Sequence, residues 1–261
     1  MYKTFKGISS ILIPIYNSEY VINDCLFSLS NSKEINEYDV ELILINDGSL
    51  DNTDKLIKSF IREKSKKLRI KYISYKKNLG IVKALNSGIK KCNSEYIFRL
   101  DADDKWVEGR LVKSLSKFKD LERLKQNYAI VGTYMRGSSG RLYKSPKVVH
   151  SLFQHFFGGF VHHPSWCIKG EILRKYLYKT KSPFDDYYLL MRLILDNYKF
   201  YNIPEELVIY NDSMNSLSRL TFLNFDIRAI NSFLIKFAFL RFWVRSFFRI
   251  KSQKITNKNI F

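Results

Sequence analysis

Two hydrophobic periods take turns along the first 135 residues, and that alternation limits the possible folds more than any other feature of the chain. SILIPIY, VELILIND, RIKYISY, EYIFRLD and YAIVGTY are short, rich in Ile, Val, Leu and Tyr, and bounded by polar turns, the pattern of buried strands. Between them, residues 19–30, 52–64 and 80–92 carry helical periodicity, the first after Asn17 and Ser18 and the second after DGSLD. Strands alternating with helices of this length predict a mostly parallel sheet with helices on both faces. In such sheets ligands bind in the crevice beyond the carboxyl ends of the strands. The residues closing the strand runs should therefore share one rim: Tyr16 and Asn17, Asn46 and Asp47, Asn78, and Asp101 with Asp103.

The fourth run ends in an acidic cluster. YIFRLDADDKW sets Asp101, Asp103 and Asp104 together although the formal net charge of the chain is +19. Two carboxylates separated by one small residue, Ala102, can serve one pocket, and hard divalent cations take such oxygen ligands while keeping positions for phosphate oxygens. A DAD triplet alone often arises as an exposed acidic turn, and any single Asn or Asp at a strand end is first a turn or helix-cap residue. Their common edge is what points to chemistry.

The chain of 261 residues, 46% hydrophobic, is long enough for one large domain or a domain with an appended module. Its cysteines, Cys25, Cys92 and Cys167, are scattered and odd in number, which argues against a disulfide framework or a zinc cluster and fits a reducing cytoplasm. MYKTFKGISSILIPIYNSEY has lysines before an apolar run, but the run is short and no small-residue cleavage site follows, so it reads as a first strand. No stretch of about 18 uncharged apolar residues suggests a membrane span. The positive surplus favours anionic partners without choosing among nucleic acid, anionic lipid and phosphorylated small molecules.

From about residue 140 the pattern loosens: RGSSGR is a turn or loop, and mixed helical and strand pieces follow. SPFDDYYLLMRLILDNY begins like a capped helix, with Asp185 and Asp186 in a first turn where the helix dipole favours negative charge. Residues 219–261 form a separate basic, aromatic segment in which Arg241, Arg245 and Arg249 recur every four residues of a predicted amphipathic helix. Such a helix can lie in a membrane interface with its rings in the acyl boundary and its cations at anionic head groups, or it can pack on the protein's own core or on a second subunit.

ILIPIYNSEYVINDCLFSL, LILINDGSLDNT, NLGIVKALNSGI and YIFRLDADD, in this order and spacing, resemble the nucleotide-sugar-binding half of family 2 glycosyltransferases, and HHPSWCIKGEIL and FDDYYLLMRL are similar to the acceptor-side segments of that family. The likeness is strongest to bacterial enzymes of capsule, lipopolysaccharide and exopolysaccharide assembly. It implies a GT-A fold, α/β with a Rossmann-like, mostly parallel central sheet, over residues 1–218, divided into a nucleotide-sugar-binding half (1–135) and an acceptor-side half (136–218). It further implies that Pro14, Tyr16, Asn17 and Glu19 border the nucleotide, that Asp47 holds the base or ribose, and that Asn78, Gly80 and Lys83 lie beneath the nucleotide. Asp101, Ala102 and Asp103 would line the donor site, with Asp101 on ribose or metal and Asp103 on an Mn²⁺ or Mg²⁺ ion bridging the diphosphate. Asp186 matches the second acid of the family's Glu-Asp pair, the catalytic base, although the first acid here is Asp185.

The implied function is inverting transfer of a sugar from a nucleotide-diphosphate donor, expected to be UDP-linked, to a glycan or polyprenyl-diphosphate-linked saccharide, by an enzyme peripheral to the inner face of the cytoplasmic membrane. One carboxylate base suits direct displacement, and a divalent cation stabilises the charge that builds on the departing nucleotide. VIYNDSMNSLS departs from the family, with Asn211 and Ser213 where Arg and His are expected. His162 and His163, before Pro164, are candidates for acceptor contact or for structural hydrogen bonds. The main alternative is a basic nucleic-acid-binding protein without enzymatic activity, suggested by a pI near 9.7. No nucleic-acid module is recognisable and the acidic rim would repel phosphate without a metal, so nucleic acid is not an expected partner. A dinucleotide-dependent dehydrogenase would need GxGxxG where IPIYNSEY stands.

Overall fold

The computed structural model describes residues 8–156, 160–179 and 185–212. Strand β1 (Ser9–Ile15) and strand β2 (Val40–Asn46) are buried along their whole length, as their continuous apolar runs require. They pair in parallel, with β3 (Arg69–Ser74) beyond β2 and β4 (Tyr96–Arg99) on the other side of β1. Helices α1 (Ile22–Ser30) and α2 (Lys33–Glu37) follow β1, α3 (Thr53–Lys64) follows β2, and α4 (Ile81–Lys91) follows β3. The chain thus walks outward from β1 to β3 and then returns across β1 to β4, which makes the β1/β4 boundary a topological switch point. The three helical segments predicted between these strands are all present. The first begins at Ile22 rather than residue 19, because the Ser18 carbonyl accepts the Val21 and Ile22 amides in a turn.

Alternate residues of the strands feed two cores. Ile11, Ile13, Leu42, Leu44 and Phe98 pack on one face, and Leu12, Ile43, Ile45 and Ile97 on the other. Helix α4 lies directly on the second face: a Cβ at Gly88 would come 2.4 Å from Leu12 Cδ1 and 2.8 Å from Ile45 Cδ1.

After β4 come β5 (Lys105–Trp106), α5 (Arg110–Arg123), β6 (Tyr128–Gly137), β7 (Leu142–Tyr143), β8 (Val148–Val149) and α6 (Leu152–Phe156). A 3₁₀ turn at His163–Ser165, β9 (Cys167–Lys169), α7 (Gly170–Tyr176), α8 (Asp185–Leu195) and β10 (Lys199–Tyr210) complete the described chain. Among the described residues these strands extend the sheet to ten, in the order β3-β2-β1-β4-β9-β6-β10-β5, with β7 on β6 and β8 on β10. Strand β9 runs antiparallel between β4 and β6, so the mostly parallel sheet is interrupted where its two halves join. The sheet, with helices on its faces, is α/β of the GT-A kind, as expected. The segment predicted as an Arg-striped C-terminal helix, and Ser213, lie outside the described residues.

Two glutamates lock α2 to α5 by exchanging caps. Glu108, just before α5, accepts Ser32 Oγ (2.7 Å) and the Lys33 and Glu34 amides (3.2 Å each) at the start of α2. Glu34, buried in α2, in return accepts the Leu111 and Val112 amides at the start of α5 (3.0 and 3.2 Å) and the Trp106 indole N–H (2.8 Å). Each carboxylate satisfies orphan donors of the other helix. Burial raises the pKa of Glu34 while these bonds oppose the rise. Glu34→Ala would leave buried donors without an acceptor and is expected to lower the unfolding free energy by about 3 kcal/mol in urea titration, whereas Glu37→Ala, on the same helix, should change it by less than about 0.5 kcal/mol.

Candidate active site

The loops leaving β1 and β2 are laced together at the carboxyl rim. Asn17, at φ 46°, donates its N–H to Ser49 Oγ (3.0 Å) and accepts the Leu50 N–H at Oδ1 (2.9 Å), and asparagine is among the side chains that tolerate this left-handed region. Ser18 N–H donates to Thr53 Oγ1 (2.8 Å), and Glu19 Oε2 accepts the backbone and side-chain N–H groups of Asn52 (3.1 and 2.8 Å). Asp47, buried at the end of β2, spans the next gap, accepting the Leu79 and Gly80 amides at 2.9 and 2.8 Å. The held segment lies on Gly48, at φ 72°, where a Cβ would meet the Lys77 carbonyl carbon at 2.3 Å. Gly80 precedes α4 and its N–H is shared with Asn78 Oδ1 at 3.0 Å. Pro14 is buried in β1 opposite Ile45. Asn17, Glu19 and Asp47 therefore hold loops to one another, while Tyr16, Asn78 and Lys83 are exposed at the rim.

At the end of β4, the buried guanidinium of Arg99 pairs through Nη2 with Asp101 Oδ1; its Nε and Nη1 have no hydrogen-bond partner among the described residues. Ala102 and Asp104 are buried and Asp103 is half-buried. Asp104 Oδ1 accepts the Asn211 N–H at 2.8 Å, and Asp103 Oδ2 accepts from Asn211 Nδ2 at 3.3 Å. Asn211, the departure from the family pattern, thus reaches the acidic motif from the end of β10. Burial, and then the charge of Asp101, pushes both Asp103 and Asp104 above the usual carboxylate range.

The segments expected on the acceptor side lie at the 3₁₀ turn, β9, α7 and α8. His163 Nε2 meets the Tyr178 hydroxyl at 2.7 Å, and its ring stands edge-on to Trp166, centroids 4.6 Å apart. Burial holds His163 well below the usual imidazole pKa, with the Arg99 charge adding to the effect, and holds His162 down at about 4. Both rings are neutral near pH 7. Asp185 and Asp186 form the first turn of α8, where His155 stacks on Tyr187 at 3.9 Å between centroids. Asp186 Oδ1 accepts the Tyr187 N–H at 2.7 Å. Burial, followed by the charge of Asp186, pushes Asp185 up to about 7. Asp186 is raised chiefly by burial and also by Asp101, while Arg99 draws both acids of the pair back down. The acids of the fourth strand end and those of α8 therefore lie in one electrostatic field around Arg99.

A model described as Glycosyl transferase family 2 matches residues 10–192. The chain belongs to glycosyl transferase family 2. It is 29% identical over 223 residues to an uncharacterised glycosyltransferase of Haemophilus influenzae, covering 80% of this chain and 67% of that protein. It is 32% identical over 115 residues to the teichoic acid poly(glycerol phosphate) polymerase of Staphylococcus epidermidis, covering 44% of this chain but 15% of the polymerase. In fold it is similar to S. aureus TarS 1-349 in complex with UDP-GlcNAc (TM-score 0.65, 19% identity, 80% of this chain). It is also similar to the mannosyltransferase PcManGT of Pyrobaculum calidifontis in complex with GDP-Man and Mn²⁺ (TM-score 0.64, 16% identity, 82% of this chain). The chain spans 59% of each of these two solved chains.

For a family 2 glycosyltransferase the acidic motif must be tested against a divalent ion. No group of three or more His, Cys, Asp and Glu side chains among the described residues is arranged to hold one. Asp101 and Asp103 nevertheless supply hard oxygen donors whose mutual repulsion a cation would relieve, and two carboxylates completed by phosphate and water oxygens make a usual shell for Mg²⁺ or Mn²⁺ at a nucleotide. The residues fit the group. Sequence reasoning overlooked Arg99, whose signal was an arginine inside the apolar run YIFRL, and Tyr178, which has no local signal at all.

The raised pKa of Asp185 has a stability signature. The folded chain keeps this proton where the unfolded chain, titrating near the ordinary value of 3.8, has lost it. Stabilisation from the group is complete below that value and is lost as pH rises towards about 7 at up to about 1.4 kcal/mol per pH unit. Asp185→Asn is expected to flatten the decline, measured as unfolding free energy against pH in that window.

Proposed function

We propose that this chain is an inverting glycosyltransferase that moves a sugar from a nucleotide-diphosphate donor to a hydroxyl of a glycan or polyprenyl-diphosphate-linked saccharide in surface polysaccharide biosynthesis. The observation that supports the reading is the ion pair of Asp101 with the buried Arg99 at the end of β4, whose charges also act on Asp186; in this reading Asp101 and Asp103 are the diphosphate-and-metal motif and Asp186 is the base. Family membership, the nucleotide-sugar complexes of TarS and PcManGT and the teichoic acid relative support the donor class and the kind of product.

In this reading Tyr16 and Asn78 border the nucleotide, and Lys83, in the first turn of α4, adds positive charge beside the diphosphate. Pro14, Asn17, Glu19, Asp47 and Gly80 hold that wall in shape, with any direct nucleotide contacts drawn from the same loops. Asp101 and Asp103, flanking Ala102, would hold Mn²⁺ or Mg²⁺. When bound, the ion acts as a Lewis acid on the departing diphosphate. Asp186 accepts the proton of the attacking hydroxyl, and the Tyr187 N–H on Oδ1 fixes the orientation of its carboxylate. Arg99 favours the ionised form that a base needs. Attack by the acceptor on the face opposite the diphosphate forms the new glycosidic bond as the old one breaks, and the anomeric configuration inverts.

A panel of nucleotide sugars with Mn²⁺ or Mg²⁺, read by release of free nucleotide, should single out one donor, and EDTA should abolish its turnover. Asp186→Asn is expected to lower transfer by about 10²–10⁴-fold with donor affinity little changed; normal transfer would remove Asp186 as the base. Peripheral membrane contact through residues 219–261 rests on their basic and aromatic composition, and no helix among the described residues is long and apolar enough to cross a membrane. Removing residues 222–261 should abolish co-sedimentation with anionic vesicles, and unchanged sedimentation would refute the anchor.

A further inference from the structure

The strap Tyr176–Tyr178, at the end of α7, is fastened from three sides. Asn86, in the middle of α4, donates from Nδ2 to the Tyr178 carbonyl at 2.8 Å and accepts the Tyr178 N–H at Oδ1 at 2.9 Å, the pair of bonds that a neighbouring strand would make. Arg192 of α8 donates to the Tyr176 and Leu177 carbonyls at 2.6 and 2.8 Å, with its guanidinium 5.4 Å from the centroid of the Tyr176 ring. His163 of the acceptor-side turn takes the Tyr178 hydroxyl. Between these fastenings Leu177 is held at φ 39°, a region that a branched side chain keeps only when its surroundings over-determine it.

Helix α4 is itself anchored at the donor end. Asp47 holds the Gly80 amide at its start, and Gly88 seats it on Leu12 and Ile45. The Asn86 carboxamide therefore joins a rigid donor-side helix to the strap seven residues before Asp185. We propose that Asn86 is a positioning residue: by bridging α4 to Tyr178 it fixes the strap to which Arg192 ties α8, and so the placement of the Asp185/Asp186 turn, and of the base, relative to the bound donor. The inference rests on the assignment of Asp186 as the base. Asn86 touches neither donor nor acceptor in this scheme; it acts through Tyr178. A purely structural Asn86 would weaken folding and leave the active molecules unchanged. A positioning Asn86 changes turnover in molecules that remain folded.

The test uses the full chain, with the donor singled out by the nucleotide-sugar panel and with UDP as the binding probe. Asn86→Ala is expected to lower turnover by about 10-fold or more, because small misplacements of a reacting group are costly, while KM for the donor and Kd for UDP with Mn²⁺ stay within about twofold. In an Asp186→Asn background the same change should cost nothing further, the non-additivity expected of a residue that works through another. Asn86→Asp, which keeps the acceptor for the Tyr178 N–H but sets a carboxylate against the Tyr178 carbonyl, should also lose turnover, and it serves if Asn86→Ala does not fold. Unchanged turnover in folded variants, loss confined to KM, or full additivity with Asp186→Asn would overturn the proposal. If the wild-type chain turns over no nucleotide sugar, the base assignment fails first. Hydrogen exchange then reads the bridge directly: faster exchange at the Leu189 and Leu190 amides of α8 in Asn86→Ala, with β1 unchanged, supports it, and unaltered exchange there overturns it.

Discussion

A buried guanidinium, that of Arg99, sits in the field of five carboxylates drawn from two remote parts of the chain. Asp101, Asp103 and Asp104 follow β4, while Asp185 and Asp186 open α8, and the charge of Arg99 is felt by members of both sets. Burying so many acids together is unfavourable unless positive charge is close, and burying an arginine is unfavourable unless acids are close. The two requirements meet at the end of β4. Arg110 lies just behind, donating to the carbonyls of Arg99 and Pro164 at 2.7 and 2.8 Å, with its guanidinium 4.5 Å from the centroid of the Trp106 ring. Burial lowers the Arg110 pKa to about 10, so it too is charged at neutral pH.

The rest of the molecule keeps these charges in register. The parallel strands β1, β2, β3 and β4 bring four loops to one rim, and the loops after β1, β2 and β3 are bonded to one another. Asn17 and Glu19 grip the loop after β2, and Asp47 grips the loop before α4. A preorganised wall of this kind does not have to be ordered when a ligand arrives, which is how rigid sites lower the cost of binding. On the other side, the exchanged caps of Glu34 and Glu108 fix α2 against α5 and set Trp106 beside Arg110. The framework and the site share side chains, so several residues expected to touch nucleotide also serve to shape its wall.

How much of this was legible depended on how local the cause was. The five strand runs and three of the helices of the first half follow from hydrophobic period alone and appear close to where the period places them, the first helix starting three residues late, whereas α2 and α5 were not read from it. The convergence of Asp47, Asn78 and Asp101 on one rim followed from the parallel-sheet rule, which needs only element order. Strand β9 was not legible: CIK is three residues long, and its place between β4 and β6 depends on partners distant in sequence. Strand β10 carries repeated register shifts against β6 that blur its period-two pattern. Glu34, Arg99 and Arg110 were hidden for the opposite reason, since charged side chains are read as surface until the partners that neutralise them are in place.

By itself the sequence determined the α/β class, the edge on which the parallel strands end, and which acids stand at that edge, because each depends on periodicity or on the few residues at a strand end. Tertiary structure alone decided that Asp186 shares a field with Asp101, that Arg99 is their counter-charge, and that Asn86 ties α4 to the strap before α8. Those relations join residues far apart in the chain. Electrostatic energy depends on separation in space and on the water excluded between charges, and neither quantity exists until the chain has folded.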